Sequence, residues 1–127
     1  MPGAPVLVVD DHPVNLKLLR LTLTAAGYDV RTAPDAETAL AMLDGWTPAA
    51  ILMDIQLPGM DGLELTRRLK ADPARAAIRI VAVTAYAMKG DEEKARAAGC
   101  DGYITKPVDT AKLPVTLAAL LAPGTPP

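Results

Sequence analysis

The chain has 127 residues, room for one ordinary domain, and 50% of them are hydrophobic, enough to build a core without staples. Its net charge of −2 gives no sign of the clustered Lys and Arg that a sequence-independent grip on nucleic acid needs. Neither a signal peptide nor an apolar run of about 18 residues is visible, so no membrane partner is expected and a cytoplasmic location is the default.

The single cysteine, Cys100, cannot form an internal disulfide, which fits a reducing compartment. The two ends, 1–5 and 122–127, are rich in Pro and Gly and read as tails around one domain at 6–121. Val6–Val9 is a continuous apolar run that reads as a buried strand and leads into Asp10 and Asp11. Pro13 opens a helix as its first residue, Val14, Leu18, Leu19 and Leu21–Leu23 form its apolar side, and Gly27 lies just past its end. Tyr28–Ala33 predicts a second strand. Asp35 caps a helix through about Leu43, with Gly45 beyond it.

Ala49–Met53 predicts a third buried strand, ending at Asp54. The run Pro58-Gly59-Met60-Asp61-Gly62 is a loop by its turn chemistry, and Leu63–Lys70 follows as a helix stopped by Asp72-Pro73. Arg79–Val83 predicts a fourth strand, ending at Thr84. Asp91 is expected to cap a helix to Ala98, with Gly99 at its end. Gly102–Thr105 predicts a fifth strand, ending at Lys106. A last helix reaches about Leu121. Because proline is costly inside a helix, Pro114 places a turn at Asp109–Lys112 and itself in the first helical turn.

Strands that are fully apolar and alternate strictly with helices imply an α/β fold, a doubly wound parallel sheet covered on both faces. In such sheets, sites form beyond the carboxyl ends of the strands. The expected strand ends carry Asp10 and Asp11, then Asp54, then Thr84, then Lys106. Two carboxylates about 4 Å apart repel by roughly 4 kcal/mol at an effective dielectric near 20, so three need a cation or must hold protons. An oxygen-only donor set with few protein ligands suits Mg²⁺, for which Mn²⁺ can substitute. Lys106 offers a point charge for a phosphoryl oxygen, and Thr84 a hydroxyl donor. A carboxylate can attack phosphorus to form an acyl phosphate, so these groups suit phosphoryl transfer to an aspartate.

Four segments carry a family resemblance: Val8-Val9-Asp10-Asp11, Leu52-Met53-Asp54-Ile55-Gln56-Leu57-Pro58, Val83-Thr84-Ala85 and Thr105-Lys106-Pro107. With all four in order, nearly the whole chain resembles the receiver domains of two-component response regulators. The stretch Ala87-Met88-Lys89-Gly90-Asp91-Glu92 resembles single-domain DivK-like regulators and the receivers of hybrid kinases. The resemblance implies a five-stranded parallel sheet of order 2-1-3-4-5 with five helices. It implies that Asp54 is the phosphoacceptor, that Asp11 and Asp54 bind Mg²⁺ directly, that Asp10 acts through water, and that the backbone carbonyl of Gln56 completes the set. Lys106 is implied to contact the phosphoryl group, with Pro107 beside it, Thr84 to be the switch hydroxyl next to Ala85, and Tyr103 the switch aromatic. Tyr86 is a candidate modulator over the site entrance.

The implied partners are a histidine kinase or histidine phosphotransfer protein and a downstream protein, with the chain a monomer or weak dimer. It is expected to be a signalling domain that at most catalyses its own phosphorylation and dephosphorylation. A single-domain regulator, a phosphotransfer intermediate and a receiver cut from a hybrid kinase all fit. His12 reads as a surface or capping residue, Asn15 as serving the first helical turn, Cys100 as a core filler and Trp46 as covering the end of the third strand. Two rivals fit less well. A haloacid-dehalogenase-type phosphatase puts its nucleophile on the first strand with a second Asp two residues on, whereas Asp10 and Asp11 are adjacent. A flavodoxin-like FMN module needs a Ser/Thr/Gly-rich loop where Asp10 and Asp11 would repel phosphate.

Overall fold

The computed structural model describes residues 3–55, 57, 62–85, 90–106 and 108–121. Five strands alternate with five helices: β1 (Pro5–Val9), α1 (Pro13–Ala25), β2 (Asp29–Ala33), α2 (Ala36–Leu43), β3 (Ala50–Asp54), α3 (Gly62–Ala71), β4 (Arg79–Thr84), α4 (Asp91–Ala98), β5 (Gly102–Thr105) and α5 (Leu113–Leu121). The strands form one sheet in the order β2-β1-β3-β4-β5, and every pairing is parallel.

Successive side chains of a strand point to opposite faces, and the core divides accordingly. Leu7, Val9, Ile51, Met53, Ile80 and Ala82 face one way, under Ala36, Ala39 and Leu43 of α2, Leu65 and Leu69 of α3, and Ala95 of α4. Val6, Val8, Ala50, Leu52, Val81 and Val83 face the other, under Leu19 and Leu23 of α1 and Leu113 and Leu117 of α5. β1, β3 and β4 are therefore buried on both sides. The two edge strands are not: β2 alternates exposed with part-buried residues until its buried last residue, Ala33, and β5 is only partly buried. The expectation of fully apolar strands holds for the central three alone, because an edge strand has one neighbour fewer and leaves part of itself in water.

Helix ends follow the local chemistry with one correction. Pro13 is the first residue of α1, and Gly27 takes φ 98° just beyond it, where a side chain would be strained. Asp35 caps α2 through a 2.7 Å bond from the Thr38 N–H to its carboxylate. Asp91 does not cap α4. Gly90 occupies that place at φ 88°, and Asp91, Glu92 and Glu93 fill the first turn, where the helix dipole favours negative charge. Pro114 is the second residue of α5, and the Asp109 side chain accepts the N–H groups of Ala111 at 3.0 Å and Lys112 at 3.3 Å, forming the expected turn.

An ion-pair network closes the amino ends of β4 and β5. Lys70, in the last turn of α3, donates to the carbonyls of Ala76 at 3.1 Å and Ile78 at 2.8 Å and to the Asp101 carboxylate at 2.9 Å. Asp101 also accepts the Ile80 N–H at 2.8 Å and lies 3.5 Å from Arg79. The opposite, carboxyl end of the sheet is where the acids gather.

Candidate functional site

The order β2-β1-β3 places the reversal of the sheet between β1 and β3, where a crevice opens beyond the strand ends. Asp10 follows β1 directly, and Asp54 is the last residue of β3. Register holds them level: Val9 pairs with Met53, the Asp10 N–H donates to Ala33 O at 3.1 Å, and the Ile55 N–H donates to Val83 O at 3.1 Å. Gly62 enters α3 tightly against this edge. A Cβ there would lie 2.7 Å from the Asp54 carbonyl oxygen and 2.8 Å from Ile55 Cα.

Lys106 joins the two buried acids. Its Nζ donates to Asp10 Oδ2 at 3.0 Å and to Asp54 Oδ2 at 3.1 Å, across sequence separations of 96 and 52 residues. The Asp10 and Asp54 side chains are 2% and 5% exposed in these pairs, so they have traded water for an ammonium. β5 delivers Lys106 because the Lys106 N–H donates to Thr84 O at 2.7 Å, fixing the backbone one residue past the strand. Burial works against the Lys106 charge, but its hydrogen bonds to Asp10 and Asp54, and then their Coulomb attraction, outweigh it and hold the ammonium above its ordinary pKa.

Asp11 and His12 form the outer rim and are exposed. Asp10 Oδ1 accepts the His12 backbone N–H at 2.9 Å. The ring Nδ1 lies 3.2 Å from Asp10 Oδ1 and 3.0 Å from Asp11 Oδ1. His12 is thus at the cap position of α1, but its side chain does not cap the helix. Asp10, Asp11, His12 and Asp54 each offer a ligand atom, and all four atoms lie within 4.8 Å of one another. Three carboxylates against one ammonium leave an excess of negative charge that a divalent cation would neutralise, and the oxygen donors fit Mg²⁺.

Four of the expected site residues, Asp10, Asp11, Asp54 and Lys106, are therefore brought together. Thr84 ends β4 with its side chain buried, level with Thr105 of β5. Ala85 follows it, exposed. Tyr103 pairs in register with Ala82, packs against the α3–α4 side of the core, and buries its hydroxyl without a hydrogen-bond partner among the described residues. Burial, then the negative charges of Asp91 and Glu92, push the Tyr103 phenol above its ordinary pKa. Gln56, Tyr86 and Pro107 lie outside the described residues, as do 58–61 and 87–89. Asn15 lines a small cavity with Leu18, Leu19, Lys106 and Val108. Trp46 is half-buried against the core and carries the Arg31 guanidinium 4.5 Å above its ring.

Sequence reasoning missed two parts of the site. It read His12 as a surface or capping residue, and His12 is exposed and stands at the cap position, but that reading did not give the approach of its ring to Asp10 and Asp11. It read Gly62 as a turn residue; nothing in its neighbours reports the close approach to Asp54.

Residues 6–118 match the response regulator receiver domain family. The polar-differentiation response regulator DivK of Brucella anthropi is 42% identical over 116 residues, 91% of this chain and 94% of that one. DivK of Brucella ovis is 44% identical over 117 residues, with the same coverage. Among solved structures, a putative response regulator from Chloroflexus aurantiacus superposes with a TM-score of 0.89 at 31% identity, covering 94% of this chain and 98% of that one. The receiver domain of the sensor histidine kinase PA1611 from Pseudomonas aeruginosa, solved with a magnesium ion coordinated in its active site cleft, superposes with a TM-score of 0.85 at 34% identity, covering 94% and 98%. Matched over most of its length in family, relatives and fold, the chain belongs to the response regulator receiver domains, the phosphoaccepting modules of two-component signalling.

Proposed function

We propose that Asp54 is the residue of this receiver that takes the phosphoryl group, from a phosphohistidine on a histidine kinase or histidine phosphotransfer protein. The observation that carries this reading is the Lys106 ammonium held 3.0 Å from Asp10 and 3.1 Å from Asp54 at the reversal of the sheet. Asp10, Asp11, Asp54 and the Gln56 carbonyl would hold Mg²⁺. When bound, that ion supplies positive charge to the oxygens of the transferring group.

An Asp54 carboxylate oxygen attacks phosphorus, the P–N bond to the donor imidazole breaks, and the leaving nitrogen keeps the electron pair. Lys106 gives up its contact with Asp54 for a phosphoryl oxygen. Thr84, at the end of the neighbouring strand, donates its hydroxyl to the same group, and Tyr103 responds on β5. The added negative charge shifts the balance between two shapes of the α4, β5 and α5 face, and a downstream protein that prefers one shape binds it. The chain does this as a cytoplasmic monomer or weak dimer, its receiver unit spanning 6–121, with no reaction catalysed beyond its own phosphorylation and dephosphorylation.

Intact mass after incubation with acetyl phosphate tests the assignment. Wild type gains one phosphoryl group only with Mg²⁺ present, and Asp54→Asn gains none. Equal labelling of Asp54→Asn would refute it.

A further inference from the structure

We propose that His12 adds an imidazole nitrogen to the cation site, so that this pocket takes nitrogen-preferring transition ions such as Ni²⁺, Co²⁺ or Zn²⁺ in competition with Mg²⁺; the inference rests on the divalent-cation reading of the same carboxylates.

The ring is placed for ligation. Two ligand atoms at right angles about an ion at about 2.1 Å are separated by about 3.0 Å. His12 Nδ1 lies 3.0 Å from Asp11 Oδ1 and 3.2 Å from Asp10 Oδ1, close to the separation of neighbouring ligand atoms about one ion. The Asp54 carboxylate falls within the same 4.8 Å limit, on the inner side. The ring is not spent on the helix, since α1 takes no side-chain cap from it. The His12 backbone N–H donates to Asp10 Oδ1 at 2.9 Å, on the same side as the ring Nδ1 contacts with the acids. The His12 and Asp11 side chains are 66% and 34% exposed, which leaves an entry path from solvent.

The receiver domain of PA1611, similar over 94% of this chain, was solved with magnesium coordinated in its active site cleft. Imidazole is a weak ligand for Mg²⁺, which prefers oxygen and water, but a good one for Ni²⁺, Co²⁺ and Zn²⁺. His12 is the only histidine of the chain, and the one cysteine, Cys100, is buried in the core beside Thr66. Among side chains, His12 is therefore the donor that separates the two ion classes. An ion held through Nδ1 occupies the carboxylates that Mg²⁺ would use, so the two classes exclude each other. The rival account of the short distances is an imidazolium bridging Asp10 and Asp11, which a cation would expel.

Titration calorimetry of the full chain with Ni²⁺ and, separately, Mg²⁺ decides between them, alongside proton NMR of the Co²⁺-loaded protein. Since even partners outside the ligand set change metal affinity by about 10–100-fold, His12→Asn should lower the ratio of Ni²⁺ to Mg²⁺ affinity by about tenfold or more. Wild type loaded with Co²⁺ should show one strongly shifted, exchangeable imidazole N–H resonance that His12→Asn lacks. An unchanged ratio without that resonance, while Mg²⁺ still binds, would overturn the role of His12 and leave the Mg²⁺ reading standing. Failure of both ions to bind would overturn both.

Discussion

Replacing Lys106 with Met keeps most of the unbranched side chain, one atom shorter, and removes its charge. Asp10 and Asp54 then remain almost fully buried without the ammonium that lies 3.0 Å and 3.1 Å from them. Removing one partner of a buried ion pair typically costs about 3–5 kcal/mol, because the other charge is left uncompensated. The rim here is open to water through the exposed Asp11 and His12, so the lower end, about 3 kcal/mol, is expected. Urea unfolding with and without Mg²⁺ measures it. The loss should be largest without Mg²⁺, and Mg²⁺ should stabilise Lys106→Met more than wild type. pH gives a second handle. The folded-state pKa of Lys106 is raised, so its contribution is present in full below the unfolded value of about 10.4 and fades as pH rises through the folded value. The gap between wild type and variant should thus persist at neutral pH and narrow in strong alkali. A loss under about 0.5 kcal/mol, the range of ordinary surface substitutions, would refute the electrostatic account.

Gly62→Ala would press a Cβ onto the Asp54 carbonyl and Ile55 Cα, neither of which can swing aside as a flexible side chain can. The strand end must move, at a cost of about 1–3 kcal/mol, and acetyl phosphate labelling should slow; unfolding and labelling rates both as in wild type would contradict the contact. Asp101→Ala removes the acceptor of the Ile80 N–H and the partner of Lys70 at the far end of the sheet. It should destabilise by about 2–3 kcal/mol in urea while acetyl phosphate still labels the folded protein; selective loss of labelling would show that the two ends are coupled.

What could be read from the sequence divides along physical lines. Val6–Val9, Ala50–Met53 and Ile80–Val83 lie in central strands with a helix over each face, so their apolar runs announced them. The strand-end residues followed from those runs, which is why Asp10, Asp54 and Thr84 could be named in advance; Lys106 was named from the shorter edge run Gly102–Thr105. β2 has water along part of its surface, and its exposed Asp29 and Arg31 are polar for that reason. At the start of α4, Asp91 looked like the cap because aspartate caps well. Gly90 takes the place with a left-handed backbone, which only the folded chain reveals. The Lys106 bridge was beyond pattern reading, since it joins residues 96 and 52 positions apart. Each of those side chains suggested chemistry, but their contact depends on sheet order and register. Tyr103 is similar: a half-exposed strand position gives no hint that its hydroxyl is buried.

The most direct test of the central claim is to locate the phosphoryl group. Protein phosphorylated with acetyl phosphate and Mg²⁺ is reduced with borohydride, which converts an aspartyl phosphate to homoserine, and the peptides are sequenced by mass spectrometry. Homoserine at position 54, dependent on both acetyl phosphate and Mg²⁺, is the result the Asp54 assignment predicts. Homoserine at position 10 or 11 with position 54 intact would contradict it.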